Sequence, residues 1–328
     1  MVKSIVVSFL FAVTALAASR MTAPAGALVV SKSGGRYSTV SAAVKALSTT
    51  KTETQTIFIE GGTYDEQVYI PPLAGKLIIY GQTDDTTSYT GNRVKITHSI
   101  KLSDVSNDDE TATVRNHTPN SSFYNLNIAN PCGQACHQAL AVSAFAGNQG
   151  YYGCQFTGYQ DTLLAQTGNQ IYSKTLIEGA VDFIFGQHAR AWFQDCDIRV
   201  LQGPKSASIT ANGRSSESDQ SYFVIHKSTV SGNGVPAGTY YLGRPWSKFA
   251  RVIFQLTSLS DAINPAGWTQ WSTSQPNTES VTLAEYDNSG AGAKGTRASF
   301  SKKLSQPLSI STILGSDWNR WVDTSYVS

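Results

Sequence analysis

The segment Tyr151-Tyr-Gly-Cys-Gln-Phe156 has two counterparts further along the chain, at successive offsets of 21 residues. They are Ile171-Tyr-Ser-Lys-Thr-Leu-Ile177 and Trp192-Phe-Gln-Asp-Cys-Asp-Ile198. An aromatic residue, a small Cys or Thr and a large apolar residue keep the same positions in all three segments. A fixed period built of short strand-like runs is typical of a solenoid whose coils stack on one another.

Two aspartates share this spacing, because Asp161 and Asp182 are also 21 residues apart. Equivalent residues of neighbouring coils lie about 4.8 Å apart in a stack of parallel strands, so the repeat predicts adjacent carboxyl groups. Two carboxylates at that distance do not easily ionise together, and one should hold a proton at neutral pH. An isolated aspartate would more often cap a turn and face water. The spacing instead predicts an acid beside a base or nucleophile.

The N-terminus has the pattern of a secretory signal peptide. Lys3 precedes an apolar run over residues 5–16, and the small residues of Ala15-Leu-Ala-Ala-Ser19 resemble a cleavage site. We therefore expect residues 1–18 to be removed and residues 19–328 to form one secreted, extracellular domain. The apolar run is too short to span a bilayer, and no later segment is long and apolar enough.

Net charge and acceptor sequences describe the expected surface. The formal net charge is +2 with Lys3 included. This near-neutral balance gives no reason to expect nucleic acid or a membrane surface as a partner. Asn116-His-Thr and Asn120-Ser-Ser have the form of N-glycosylation acceptors, and either could be unused.

The four cysteines fall into two pairs with different expectations. Cys132 and Cys136 flank a glycine-containing turn and could form a disulfide in a secreted protein. Cys154 and Cys196 occupy equivalent positions two coils apart, about 9–10 Å, which is too far for a bridge. We expect both to be small, buried apolar residues. No close spacing of Cys and His ligands indicates zinc.

The rest of the chain extends the solenoid. Residues 37–47 predict a helix, capped by Ser38 or Ser41, that covers one end of the stack. From residue 56 onward, short β-branched and aromatic runs predict strands. Coils outside the regular repeat are longer, and their surplus residues should form loops that build a binding groove. The predicted loops are at 148–150, 203–204 and 231–236. Residues 308–322 predict a short helical cap or tail.

Further polar and aromatic side chains could complete a site. Arg244 in Leu242-Gly-Arg-Pro-Trp246 would hold a neighbouring carboxylate ionised, although a surface ion pair is equally compatible with its sequence. Gln138 and Gln160 carry neutral amides that can stabilise an oxyanion, or serve as ordinary structural amides. Three tryptophans could stack on sugar rings or pack in the core, and core packing is favoured for Trp268. They are Trp246, Trp268 and Trp271.

Five motifs in a fixed order resemble those of pectin methylesterases, and most closely those of the single-domain fungal kind. The resemblance covers about residues 25–325. It implies an all-β, right-handed, single-stranded parallel β-helix with short helical caps, and hydrolysis of methyl esters on homogalacturonan. The motifs are Gly62-Thr-Tyr-Asp-Glu66, Gln138-Ala-Leu-Ala141, Gly158-Tyr-Gln-Asp-Thr-Leu163, Val181-Asp-Phe-Ile-Phe-Gly186 and Leu242-Gly-Arg-Pro-Trp246.

The resemblance also implies roles for individual residues. Asp182 resembles the nucleophile, and Asp161 the general acid that later acts as a base. Gln138 and Gln160 resemble the oxyanion donors, and Arg244 resembles the partner that keeps Asp182 ionised. Leu164 departs from relatives that place Tyr there, which affects subsite contacts and no catalytic role. No cofactor or metal is implied, and the expected molecule is a monomer whose partner is pectin. Residues expected to contact the sugar chain are Phe185, Trp246 and Trp271.

Two other functions compete with the esterase. A polygalacturonase on the same solenoid would show an Asn-x-Asp, an Asp-Asp and a Gly-His-Gly in succession, and only Asp108-Asp109 occurs, in what reads as a polar linker. A calcium-dependent lyase would need a cluster of acidic ligands. A non-catalytic carbohydrate-binding solenoid would keep the aromatic residues but has no use for a carboxylate pair beside an arginine. These differences favour the esterase.

Overall fold

The computed structural model describes residues 18–232 and 234–327, so residues 1–17 of the predicted signal peptide lie outside the described residues. The chain winds into stacked coils whose strands form three sheets. Neighbouring strands of each sheet pair in parallel, as in Gln149–Tyr152 with Thr167–Ser173. The predicted parallel β-helix is confirmed. None of the described helices has the length and hydropathy needed to cross a bilayer.

The strands are numbered here in chain order, and each sheet is given in stacking order. The first sheet contains β1 Leu28–Val30, β2 Gln55–Ile59, β5 Leu77–Gly81, β8 Ser121–Tyr124, β11 Gln149–Tyr152, β14 Thr167–Ser173, β17 His188–Gln194, β20 Tyr222–His226, β23 Arg251–Gln255, β25 Thr282–Tyr286 and β26 Lys302–Lys303. The second sheet contains β4 Val68–Ile70, β7 Val114–Asn116, β10 Val142–Ala144, β13 Leu163–Ala165, β16 Ile184–Gly186, β19 Ala207–Asn212 and β22 Tyr240–Pro245. The third sheet contains β3 Gly62–Asp65, β6 Val94–Thr97, β9 Asn127–Ala129, β12 Gln155–Thr157, β15 Leu176–Gly179, β18 Asp197–Val200, β21 Thr229–Ser231 and β24 Ser258–Leu259.

The 21-residue repeat sets the register of the central coils. Tyr151 pairs with Tyr172, and Tyr172 pairs with Phe193. Phe123 and Ile225 extend this ladder upstream and downstream. The ring centroids of Tyr151 and Tyr172 are 5.1 Å apart, and those of Tyr172 and Phe193 are 4.7 Å apart. These buried rings form a continuous stack inside the solenoid, where each contributes a large apolar area to the core.

A single residue in the left-handed conformation turns each of seven coils from the first sheet into the third. A corner of one residue keeps the coil short, and it places the next side chain inward. Cys154 and Cys196 follow such corners, and both are buried free thiols, as predicted. The corner residues, with φ between 43° and 57°, are Asn125, Gly153, Lys174, Asp195, Lys227, Leu256 and Asp287.

The N-terminal helix α1 packs at one end of the stack, against β1 and β4, as expected. It spans Val40–Lys45, which is shorter than the predicted range of 37–47. Its cap is Thr39, whose hydroxyl accepts a hydrogen bond from the amide of Ala42 at 3.1 Å. The prediction of Ser38 or Ser41 as the cap is wrong, because the helix begins at Val40.

The C-terminal tail lies along the flank of the solenoid. It consists of α2 Ile310–Leu314 and two 3₁₀ turns, Trp318–Arg320 and Thr324–Tyr326. Its apolar residues pack on the outer face of the first sheet, over Tyr152 and Trp192. Of the two predicted alternatives, a helical cap and a tail, residues 308–322 form the tail. They cover the side of the stack.

Loops and cysteines complete the fold. Cys132 and Cys136 form a disulfide with Cα atoms 5.8 Å apart, which confirms that pairing. The predicted loop at 148–150 is wrong, because Gln149 and Gly150 belong to β11. The predicted loop at 203–204 lies between strands. That at 231–236 begins with the last residue of β21, Ser231, and its residue 233 lies outside the described residues.

Candidate active site

The candidate residues meet in a cleft of about 270 Å³ beside the second sheet. All eight residues that the sequence and the resemblance nominate line this cleft, and Asp108 and Ala211 join them. The predicted loops at 203–204 and 231–236 contribute no lining residue. The lining residues are Asp108, Gln138, Gln160, Asp161, Asp182, Phe185, Ala211, Arg244, Trp246 and Trp271.

The backbone presents the two aspartates at equivalent corners before β13 and β16. Asp161 has φ of 62° and Asp182 has φ of 47°, a left-handed conformation that aspartate tolerates better than most residues. The amide of Asp161 donates to the carbonyl of Val181 at 3.0 Å, and that of Asp182 donates to Ser208 at 2.8 Å. Coil-to-coil hydrogen bonds therefore fix both corners, and they bring the two carboxyl groups into one cleft.

Arg244 forms a two-pronged ion pair with Asp182. Its Nε donates to Oδ1 at 3.0 Å, and its Nη2 donates to Oδ2 at 2.5 Å. The Asp182 side chain is 8% exposed, so the pair is screened little by water. Arg244 is brought close by the stacking of β22 on β19, in which it pairs with Ala211. The parallel fork geometry orients the carboxylate as well as neutralising it.

Burial and neighbouring charges affect the pKa values of the two carboxyl groups differently. Burial raises the pKa of Asp182 above its usual value, although the hydrogen bonds and charge of Arg244 oppose that rise. Burial raises the pKa of Asp161 well above its usual value, and the charges of Asp182 and Asp108 raise it further. Only the distant charge of Arg244 opposes that rise. The proton shared by the pair therefore belongs on Asp161, and Asp182 is the ionised partner.

Two glutamines border the carboxyl groups. Gln138 and Gln160 pair in parallel on neighbouring coils, and Gln160 also pairs with Val181. Within residues 18–232 and 234–327, neither side-chain amide has a protein partner, so both NH₂ groups are free to donate into the cleft. A pair of neutral donors suits an oxygen that gains negative charge during a reaction.

An apolar wall continues the cleft along the stack. Phe185 lies beside Leu164 on the neighbouring strand, and Leu164 is only 5% exposed. The ring centroids of Phe185 and Trp246 are 6.3 Å apart. The guanidinium of Arg244 lies 4.3 Å from the ring centroid of Trp271. Aromatic faces beside an ion pair provide both apolar area and orientation for a ring-shaped ligand.

One residue outside the predicted site supports this wall, and one tryptophan that the sequence raised as a possible sugar contact lies apart from it. A Cβ at Gly213 would lie 2.6 Å from the Trp246 ring, so glycine is required for Trp246 to pack there. Trp268 is 1% exposed and packs edge-on against Phe254 in the core, which confirms the favoured expectation.

Asp108 is the residue that sequence reasoning missed. The predicted polar linker is wrong, because Asp108–Thr111 is a 3₁₀ turn that faces the cleft. Its neighbour Asp109 is buried, and hydrogen bonds from His117, Ser143 and Arg115 overcome that burial and lower its pKa to about 2. The only sequence signal was the pair of acidic residues itself, which had no periodic context.

No group of His, Cys, Asp and Glu in residues 18–232 and 234–327 is arranged to hold a metal ion. The expectation that the reaction needs no cofactor stays a prediction.

The comparison with known families shows the family of the chain. Residues 27–306 match the model of the Pectinesterase family. The chain belongs to the pectinesterase family. It is 73% identical to a pectinesterase of Aspergillus niger over 331 aligned residues, which cover all of both chains. Membership of the pectinesterases makes the protein an esterase that hydrolyses the methyl esters of pectin.

Solved pectinesterase structures have the same fold. A pectin methylesterase from Aspergillus niger, solved with an N-acetylglucosamine stub, has a TM-score of 0.88 and is 42% identical, over 94% of this chain and 100% of that one. A pectin methylesterase in complex with a hexasaccharide has a TM-score of 0.74 and is 25% identical, over 90% and 98%. The resemblance to a fungal pectin methylesterase is confirmed.

Proposed function

We propose that Asp182 is the nucleophile and Asp161 the general acid in the hydrolysis of pectin methyl esters. The observation that carries this assignment is the pairing of Asp182 with Arg244 while Asp161 has no cation of its own. An ionised carboxylate can attack, and a protonated one can donate. The same cleft therefore contains both groups that an acyl transfer needs.

The reaction begins when a carboxylate oxygen of Asp182 attacks the ester carbonyl carbon. The carbonyl oxygen becomes an oxyanion, and the amides of Gln138 and Gln160 donate hydrogen bonds to it. The tetrahedral intermediate collapses, its C–O bond to the methoxy group breaks, and Asp161 gives its proton to form methanol. An anhydride then joins Asp182 to the substrate acyl group.

The second half returns the enzyme to its starting state. Water attacks the substrate acyl carbon of the anhydride while Asp161, now a carboxylate, takes one of its protons. The bond to Asp182 breaks and releases the free uronate carboxyl group. Arg244 stabilises the departing Asp182 carboxylate through its two hydrogen bonds.

The polymer is proposed to bind along the apolar wall of Phe185, Trp246 and Trp271. The wall lies in line with the stack, and the hexasaccharide-bound relative supports a groove for a sugar chain. We also propose that residues 1–18 are a signal peptide, that residues 19–328 form a single secreted catalytic domain, and that the enzyme acts as a monomer without nucleic acid or membrane partners.

The test uses highly methylated pectin with purified wild-type enzyme and Asp182→Asn. Methanol, new reducing ends and unsaturated uronides are followed together. We expect the wild type to release methanol alone and Asp182→Asn to lose at least about 10³-fold in rate. Asp84→Asn removes a surface carboxylate that is also paired with an arginine, Arg93, and should retain wild-type activity. Methanol release by Asp182→Asn at the wild-type rate would contradict the assignment.

A further inference from the structure

A third carboxyl group lies in the cleft and takes no part in the steps proposed above. Asp108 lines the same cleft as Asp161 and Asp182. Its Oδ1 is buried and has no hydrogen-bond partner in residues 18–232 and 234–327. Leaving a buried polar atom without a hydrogen bond is costly. An unpaired carboxyl oxygen in a substrate cleft therefore points to a functional constraint.

The position of Asp108 is fixed by its turn. The hydroxyl of Thr111 donates to the Asp108 carbonyl at 2.8 Å, and the side chain of Asn107 accepts from the amide of Glu110 at 3.2 Å. The next residue, Asp109, is anchored by Arg115 at 2.6 Å. The backbone of Asp108 is therefore held beside the cleft that its side chain lines.

The charges around Asp108 leave it without a cation. Arg115 and His117 both bind Asp109, and Lys101, which is as near to Asp108 in sequence as Arg115, forms no ion pair with Asp108 within residues 18–232 and 234–327. Arg244 binds Asp182. Its own turn contributes a further acidic residue, Glu110. Burial raises the pKa of Asp108, and its charge raises that of Asp161. The side of the cleft at Asp108 is thus acidic, whereas at Arg244 the charges of the arginine and Asp182 offset each other.

We propose that Asp108 is a specificity-determining residue that selects a methyl-esterified sugar, and disfavours a free uronate, on its side of the cleft. The inference rests on the proposed function of the cleft. Substrate and product sugars of a pectinesterase differ by one methyl group and one negative charge. A fixed carboxylate repels the charged product and leaves the neutral ester unaffected. Asp108 therefore weakens binding of demethylated pectin and directs the enzyme to esterified stretches.

The experiment compares wild type, Asp108→Asn and Asp104→Asn on two pectins. One is highly methylated, and the other is the same pectin after random alkaline de-esterification to about half. Methanol release gives kcat/KM on each, and inhibition by fully de-esterified pectate gives product affinity. Asp104 is an exposed carboxylate on the neighbouring turn, so its variant removes the same charge outside the cleft.

The preference is the ratio of kcat/KM on highly methylated pectin to kcat/KM on the half-de-esterified pectin. We expect Asp108→Asn to lower this ratio by about three- to tenfold, which is the effect of one like-charge pair across a partly hydrated cleft. Pectate should inhibit this variant at a concentration lower by the same factor. Added NaCl should narrow the preference of the wild type and leave that of Asp108→Asn unchanged. Asp104→Asn should match the wild type throughout.

Three results would overturn the proposal. If Asp108→Asn leaves both the preference and the pectate inhibition unchanged, the charge of Asp108 has no effect on binding. An equal loss of kcat/KM on both pectins would mean that Asp108 is only structural. A shifted pH profile with the same preference would mean that it acts only through Asp161. Failure of the catalytic assignment would show separately, as activity retained in Asp182→Asn.

Discussion

Replacing Arg244 by Gln tests how the ion pair sets the pH range of the enzyme. Glutamine keeps much of the side-chain length but removes the charge. Arg244 favours the ionised form of Asp182, so its loss raises the pKa of Asp182. At any pH below that new pKa, a smaller fraction of the nucleophile is ionised. Arg244 also lowers the pKa of Asp161, so the pKa of the general acid should rise too.

The size of the effect follows from the two hydrogen bonds at 3.0 and 2.5 Å. Each charge-assisted hydrogen bond contributes about 1.5–3 kcal/mol. A loss of about 3 kcal/mol makes the ratio of ionised to protonated Asp182 about 100-fold smaller at a given pH, since about 1.4 kcal/mol is a factor of ten in an equilibrium constant. We therefore expect kcat/KM at acidic pH to fall about 100-fold and to recover as the pH is raised.

The assay is methanol release across the acidic and neutral range, with Arg93→Gln as the control. Arg93 also forms a two-pronged pair with an aspartate, Asp84, but that pair is about half exposed and should contribute little. Both limbs of the Arg244→Gln profile should move to higher pH, whereas the Arg93→Gln profile should not move. A loss of activity that is uniform over pH would refute the reasoning, because Arg244 would then not control ionisation.

Three further changes test the groove, the core and the surface. Trp271→Ala removes an aromatic face beside Arg244, so KM for pectin should rise about three- to tenfold in initial-rate measurements, with a smaller change in kcat. Tyr172→Ala leaves a gap between the stacked rings of Tyr151 and Phe193, and urea unfolding should show a loss of about 3–5 kcal/mol. Asn120 is exposed, so Asn120→Gln should remove glycan mass in mass spectrometry. Asn116→Gln should remove none, because Asn116 is buried and its amide donates to Ser121. The groove argument would be contradicted by an unchanged KM in Trp271→Ala, and the core argument by wild-type stability in Tyr172→Ala. The surface argument would be contradicted by an intact glycan in Asn120→Gln.

The central coils could be predicted because their periodicity is exact in the sequence. Three segments with the same spacing must place equivalent residues one above another, so Tyr151, Tyr172 and Phe193 could be stacked without coordinates. The same logic put Asp161 and Asp182 at equivalent corners. In this part of the fold, equivalent residues of successive repeats lie on neighbouring hydrogen-bonded strands, so their spacing in the sequence predicts their distance in space.

The remaining parts of the site lie where the coils are irregular. Arg244 follows Asp182 by 62 residues, across loops whose paths no spacing specifies. Its expected role came from a motif resemblance, and the ion pair became visible only in the fold. Asp108 lies in a long connection before β7, where a 3₁₀ turn replaces the regular pattern. The wrong loop at 148–150 has a related cause, because a Gly in a strand looks like a turn signal in sequence.

The tail on the flank has a consequence for how this chain is made. Residues 309–327 leave the ribosome long after the coils whose apolar surface they cover, at Tyr152 and Trp192. Ser173 donates to the carbonyl of Tyr326 at 2.6 Å, and Tyr152 accepts from the amide of Asp323 at 3.0 Å. A growing solenoid therefore exposes this apolar flank until the tail has been synthesised. Early termination would leave the catalytic coils complete but exposed to aggregation.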